Sequence, residues 1–407
     1  MIDDYMEGRA EGRMQKAECR RQKWIGARIS GLALLSAFCL LHSEFALPSA
    51  FAADRPGPDG FLLALPGYDF EFPRDHGSHD AYRTEWWYYT GHLRAKDGHR
   101  YGFELTFFRV GAGVSPLNAV DGGQKPAEAQ SAWDLHHLAL AHFAITDIDR
   151  KEFRFYEKLN RSSPFTARVA SGYLDVFNEG WKATTLRDGS WRIVAMQGSD
   201  SIDLTLRARK PPAIHGENGV SVKATGEGYA SHYYSMTKLE ASGKLNGRAC
   251  SGEAWMDHEF GSSALRENQR GWDWYSIQLD NDSELMLYVI RRADGAPDVT
   301  SSGSLITADG RVIPIRRDQM QITAKRHWKS KKSGATYPLQ WNVAIPSLRI
   351  TLALSPLLDD QELVTRESTR VTYWEGAVNV SGSFDDVAVN GEGYVEMTGY
   401  DGALRFH

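Results

Sequence analysis

The sequence predicts an all-β protein made of two tandem β-barrels. Three observations carry this: short aromatic or alternating runs divided by turn pairs, an internal repeat at a separation of 139 residues, and a length of 407 residues. The turn pairs are Asp97-Gly98, Asp188-Gly189, Asn281-Asp282 and Asp309-Gly310, and short strands at such spacing are the signature of an all-β fold. The length exceeds that at which one hydrophobic core usually stops growing, so two domains are expected. Stretches at helical spacing are scarce after the first fifty or so residues, which predicts few, peripheral helices.

Composition narrows the class. With 42% hydrophobic residues, 24% charged residues and a net charge of -5, the chain is neither disordered nor built to bind nucleic acid or an anionic membrane through a basic patch. Its 12 Trp, 17 Tyr, 17 Phe and 38 Gly suit aromatic strands joined by tight turns.

The N-terminus reads as a secretory signal over residues 1–52. Arg20, Arg21, Lys23 and Arg28 precede an apolar run from Ile29 to Leu41, and Ala50-Phe51-Ala52 offers a cleavage site. The run falls short of the roughly 20 residues a bilayer span needs, so a periplasmic or secreted protein is expected ahead of one with an uncleaved membrane anchor. The polar, acidic residues before Met14 point to Met14 as the start. Cys19 and Cys39 fall within the signal. Cys250 is then alone and is expected to be a small buried hydrophobe.

The repeat defines the two copies. Tyr234, Ser242-Gly243, Gly252-Glu253, Trp255 and Asp257 match Tyr373, Ser381-Gly382, Gly391-Glu392, Tyr394 and Glu396 without a gap. The openings match more loosely, Glu85-Trp86-Trp87-Tyr88 with Trp272-Asp273-Trp274-Tyr275 and Phe108-Arg109 with Ile290-Arg291. This predicts an N-terminal extension at 53–69, a first barrel at 70–261 and a shorter second barrel at 262–407. Part of the first copy's surplus is expected in a long loop from Val110 to Trp133. Each copy can form a closed sheet of about eight strands around one small ligand. A pair of β-sandwiches fits the same periodicity. Only about 14 residues separate Asp257 from Trp272, so the copies are expected to pack through an aromatic interface around residues 255–275.

Four motifs carry a resemblance: Thr84-Glu85-Trp86-Trp87-Tyr88-Tyr89-Thr90-Gly91-His92-Leu93, Trp255-Met256-Asp257-His258-Glu259-Phe260-Gly261, Gly271-Trp272-Asp273-Trp274 and Tyr373-Trp374-Glu375-Gly376. Together they resemble the AttH-like family of secreted proteins, which is similar to the carotenoid 1,2-hydratases, from about Phe70 to Gly399. The resemblance implies two lipocalin-like barrels and relatives described as hydratases, hydrolases or pericyclases. The chain departs from the hydratase pattern in having Phe260 where that pattern has Trp, and no acid after Tyr288-Val289-Ile290. It implies the fold more firmly than the hydration of a carotenoid.

Asp257-His258-Glu259 is the leading chemical candidate, because the second copy has Met397 in place of His258. Strand alternation puts Asp257 and Glu259 on one face and His258 on the other. If it faces a barrel interior, His258 can hold and pass a proton near neutral pH; it also fits a structural hydrogen bond. Glu85 is either a buried acid or the partner of Arg109, and Asp273 invites the same two readings. Trp86, Trp87, Tyr88, Trp255, Trp272, Trp274 and Tyr275 either line an apolar ligand cavity, where their faces can steady a cation, or fill the barrels.

His136, His137 and His142 lack the spacing of a metal site, no nucleotide loop or serine elbow is present, and no metal or cofactor is expected. Two functions fit. One is a hydratase- or isomerase-type enzyme acting by acid catalysis, with Asp257 and His258, on an apolar, isoprenoid- or lipid-like molecule. The other is a non-catalytic lipid carrier of the cell envelope, associated with the membrane surface or a transport system.

Overall fold

The computed structural model describes residues 54–112, 137–217, 219–263 and 265–403. The expected signal peptide, His136 and most of the loop expected from Val110 to Trp133 lie outside the described residues.

The first sheet opens with a long meander: β1 (Thr84–Ala95), β2 (Arg100–Gly111), β3 (His137–Asp147) and β4 (Glu152–Arg161). Five shorter strands follow: β5 (Ala167–Val169), β6 (Asp175–Asn178), β7 (Trp181–Thr185), β8 (Trp191–Gln197) and β9 (Asp200–Ala208). After the short β10 (Ala213–Ile214) and β11 (Val220–Val222), the long hairpin of β12 (Ala230–Leu245) and β13 (Arg248–Gly261) joins the two halves. Its order is β4-β3-β2-β1-β13-β12-β9-β8-β7-β6-β5, with β10 and β11 against β12. Side chains reach from β4, at one end, to the other half of the sheet: Arg154 and Tyr156 bond Asp200 of β9, at 2.7 and 3.0 Å, and Asn160 bonds Asn178 of β6 at 2.7 Å. The barrel is thus nearly closed.

The second sheet repeats the plan with β14 (Gln269–Leu279), β15 (Glu284–Arg292), β16 (Ser302–Ile306), β17 (Val312–Arg316), β18 (Gln321–Lys329), β19 (Thr336–Ile345), β20 (Ile350–Pro356), β21 (Glu362–Val364), β22 (Thr372–Phe384) and β23 (Val387–Thr398). Its order, β17-β16-β15-β14-β23-β22-β20-β19-β18, makes an open half-barrel. Three 3-10 turns are the only helical elements named among the described residues, fewer than the peripheral helices expected. The predicted turns hold: Gly98, Gly189, Asp282 and Gly310 all have positive φ, which glycine and aspartate tolerate where most residues do not.

Burial patterns explain which strands were easy to read. In β20 buried and exposed residues alternate, because one face meets the core and the other water. In β1 residues 87–93 are buried without a break. Trp87, Tyr89 and Leu93 fill the first barrel, whereas Tyr88 packs against Trp255, Trp274, Tyr288 and Tyr394 in a separate cluster between the two sheets. The barrels therefore meet face to face across an aromatic layer, and both lie in one compact unit, Phe51–His407. Gly102 marks a close approach of the two barrels, where an added Cβ would lie 2.4 Å from the Tyr394 hydroxyl and 3.0 Å from the Ala377 Cβ.

The register refines the repeat. Trp87 opposes His258 and Asp273 opposes Met397, so Trp86-Trp87-Tyr88-Tyr89 correspond to Trp272-Asp273-Trp274-Tyr275. This shifts the looser sequence match by one residue. A bulge in β12 between Met236 and Leu239, absent from β22, slips the first hairpin as well. Tyr234 thereby opposes His258, whereas its counterpart Tyr373 opposes Thr398.

Candidate active site

Alternation along β13 divides its motif between two clusters. Asp257 and Glu259 point into the junction between the barrels, while His258 points into the first barrel. Asp257 and His258 consequently do not form a pair.

In the junction Asp257 accepts hydrogen bonds from Trp255 Nε1 at 2.6 Å, Tyr233 Oη at 2.7 Å and the Ser235 hydroxyl. Trp274 Nε1 donates to Tyr233 Oη at 3.1 Å, which ties the second barrel to the same group. Glu396, the repeat counterpart of Asp257, accepts from Trp272 Nε1 at 3.1 Å. Glu375 accepts from Tyr88 Oη at 2.6 Å, and Glu104 from Thr106 Oγ1 at 2.6 Å. The second carboxyl oxygens of Glu104 and Glu375 are buried without a hydrogen-bond partner among the described residues. Glu259 is the exception in this group of acids, because Lys223 Nζ lies 2.8 Å away.

Burying a carboxylate without a cation disfavours its charged form. Burial pushes Asp257 up to about 7 against the opposing effect of its three hydrogen bonds. It pushes Glu396 up to about 7, with Trp272 opposing and the charge of Asp257 adding to the rise. Glu104 is raised to about 8, chiefly by burial, and Glu375 well above the carboxylate range by burial and by its neighbours Glu396 and Glu104. The junction therefore holds carboxyl groups that keep or share protons near neutral pH, surrounded by indole and phenol rings. Chemically, it can donate a proton and receive one.

The second cluster sits at one end of the first barrel. Glu85 Oε1 lies 2.8 Å from His258 Nε2 and 2.7 Å from His79 Nδ1, and Oε2 lies 2.9 Å from Arg109 Nε. Burial alone would raise Glu85, but Arg109 and the two imidazoles hold it well below the usual range. The structure thus assigns Glu85 the Arg109 partnership and keeps it ionised, which removes it as a proton donor. His258 is lowered by burial, partly offset by Glu85. Its Nδ1 lies 3.0 Å from Tyr234 Oη, in the hydrogen-bonding arrangement that the structural reading of His258 expects.

Asp273 stands apart from both clusters. It faces the second barrel beside Tyr275, bonded to Arg291 Nε at 2.9 Å and Tyr400 Oη at 3.1 Å. Of the seven aromatic residues singled out, Tyr88, Trp255 and Trp274 form the junction layer, with Trp86 and Trp272 partly buried against it. Trp87 fills the first barrel and Tyr275 the second. His142 is also at the junction, with Nδ1 2.6 Å from Tyr373 Oη and Nε2 2.8 Å from Ser368 Oγ.

Sequence reasoning missed Glu104, Glu375 and Glu396 as site residues. A signal for Glu396 existed, since the repeat aligned it with Asp257, but attention went to where the copies differ. Two surface depressions, about 500 and 390 Å³, are lined by residues such as Asn379 and Glu392 or Phe153 and Asp360. Neither includes Asp257, Glu104, Glu375 or Glu396 in its lining.

The sequence profile of the AttH-like family matches residues 63–400. The chain belongs to the AttH-like family. Its fold is similar to that of an AttH protein from Nitrosomonas europaea, with a TM-score of 0.73 and 33% identity, covering 83% of this chain and 99% of that one. Kievitone hydratase from Nectria haematococca shares the fold at a TM-score of 0.60 and 15% identity, covering 81% of this AttH-like chain and 92% of its own. Dehydratase asqC of Emericella nidulans is 21% identical over 298 residues, 69% of this chain and 82% of its own length. One of these relatives is named a hydratase and another a dehydratase.

Proposed function

We propose that this protein adds water to, or removes it from, an apolar, isoprenoid- or lipid-like molecule bound between the two barrels. The observation that carries the reading is the placement of Asp257 and Glu396, which come from equivalent strands, the first buried and the second half-buried, beside Trp255, Trp272 and Trp274. The names of the two fungal relatives supply the reaction class.

In hydration, the protonated Glu396 carboxyl gives its proton to an alkene carbon, the π pair forming the new C–H bond. The indole faces of the junction steady the cation left on the neighbouring carbon. Water attacks that cation, and Asp257, held as an acceptor by three donors, takes the proton released. Dehydration runs the same path in reverse. A proton moved from Asp257 back to Glu396 restores the starting state. Export to the periplasm or beyond belongs to the same proposal, motivated by the N-terminal segment.

The test is to incubate the protein with an extract of apolar metabolites in water enriched in oxygen-18 and follow mass changes. Hydration with label uptake, or loss of a hydroxyl, is expected for the wild type and strongly reduced in Glu396→Gln and Asp257→Asn. A molecule that co-purifies and is retained but never converted would favour the carrier reading instead.

A further inference from the structure

The cluster at the end of the first barrel is not required by the proposed chemistry, and the second barrel does without it. The register that equates β1 with β14 places Gly271 at the position of Glu85 and Met397 at that of His258, yet Arg291 stands where Arg109 does. A fold that closes the same strand pair with glycine and methionine does not need a buried Glu and His there.

Three groups of the kind that bind metals meet at this point from distant parts of the chain. His79 follows the 3-10 turn Arg74–His76, Glu85 lies in β1 and His258 in β13. Their ligand-type atoms all lie within 4.8 Å of one another. Both imidazole nitrogens converge on the single oxygen Glu85 Oε1, at 2.7 and 2.8 Å.

The outer partners can accept the protons that the metal-binding tautomers carry. A lone pair on His258 Nε2 needs its proton on Nδ1, and that nitrogen lies 3.0 Å from Tyr234 Oη. A lone pair on His79 Nδ1 needs its proton on Nε2, which lies 3.3 Å from Asp75 Oδ1. Asp75 is itself fixed by Arg74 Nε at 2.6 Å and by the Glu71 backbone N–H at 2.7 Å. A carboxylate or hydroxyl behind each ligating histidine is the usual support of a metal centre. The rings are also locked in place, with Phe260 stacked on His79 at 3.6 Å and Trp87 on His258 at 4.7 Å.

We propose that His79, Glu85 and His258 form a binding site for a divalent transition-metal ion of the zinc type. Arg74 and Arg109 neutralise Asp75 and Glu85, so the site attracts a cation through its imidazoles more than through net negative charge. That selects zinc-like ions over magnesium or calcium, which prefer all-oxygen shells. Binding displaces the protons on the two inner nitrogens.

The proposal is tested on untagged protein stripped with a chelator and dialysed against zinc chloride, with bound metal measured by atomic emission. Wild type is expected to hold roughly one zinc per chain, to melt at a higher temperature with zinc than without, and to bind magnesium negligibly. His79→Ala and His258→Gln are expected to weaken zinc binding by about a hundredfold or more. Should either variant fail to fold, cobalt added to the stripped wild type decides, since a site of imidazole and carboxylate ligands gives visible bands that differ from those of the hydrated ion. Wild type that takes up no zinc, variants that bind it as tightly as wild type, or a cobalt spectrum of the hydrated ion would each overturn the site.

Discussion

Glu396→Gln separates a proton-donating role from a merely structural one, because it should inactivate and stabilise at the same time. Burial raises the Glu396 carboxyl from 4.5 to about 7, with a further contribution from Asp257 and opposition from Trp272. The folded chain therefore keeps a proton that the unfolded chain releases. Such a group imposes no penalty when both states are protonated. As pH rises from the unfolded value towards 7, stability is lost, and above 7 the loss is constant. Converted at about 1.4 kcal/mol per pH unit, the loss is on the order of 3 kcal/mol.

Gln cannot ionise, and its carbonyl oxygen can still accept the Trp272 N–H. The variant should match wild type near about pH 4 and exceed it by on the order of 3 kcal/mol near about pH 8. Urea denaturation at both pH values, with the slopes compared to confirm that the same surface unfolds, measures this difference. The other junction acids titrate in both proteins and cancel to first order. Turnover should fall by roughly 10²–10⁴-fold, a stability gain at the expense of function. A stability difference that does not change between the two pH values would refute the reasoning.

Three further outcomes follow from the packing. Gly102→Val should cost about 1–3 kcal/mol in urea denaturation, because the new side chain collides with Tyr394 and Ala377 where the barrels approach closely; an unchanged midpoint would show that the junction yields freely. His142→Leu leaves the Tyr373 and Ser368 hydroxyls without their shared partner and should cost about 1–3 kcal/mol, read by the same denaturation. Burial raises the Cys250 thiol to about 11, so a thiol reagent near neutral pH should label the native protein far more slowly than the urea-unfolded chain. Equal rates would place the thiol at the surface.

The two-barrel plan was legible in the sequence because it is written in local chemistry. Asp97-Gly98 and its counterparts make tight turns through their own backbone preferences, whatever lies around them. The gapless match of the closing hairpins repeats turn, glycine and aromatic positions that each hairpin needs for itself. Buried Cys250 and the Glu85–Arg109 partnership were also within reach, the first from composition and the second from adjacent strand ends.

What the sequence could not decide was which surface each strand face meets. Alternation separates Asp257 from His258, but it does not say that one side is a barrel interior and the other a second barrel. In β1 both faces are buried, so Trp87 and Tyr88 look alike in the sequence although they belong to different cores. The bulge in β12 and the one-residue shift of β1 against β14 are equally invisible, because each depends on how distant strands align. The acid character of Glu104 and Glu375, which are buried, and of Glu396, which is half-buried beside them, arises only when two sheets bring them together. The meeting of His79, Glu85 and His258 likewise needs the entry segment to fold over the barrel end. Turns and repeats were fixed by residues acting on their neighbours; the proton chemistry and the imidazole–carboxylate cluster were set by burial and proximity, which only the tertiary structure creates.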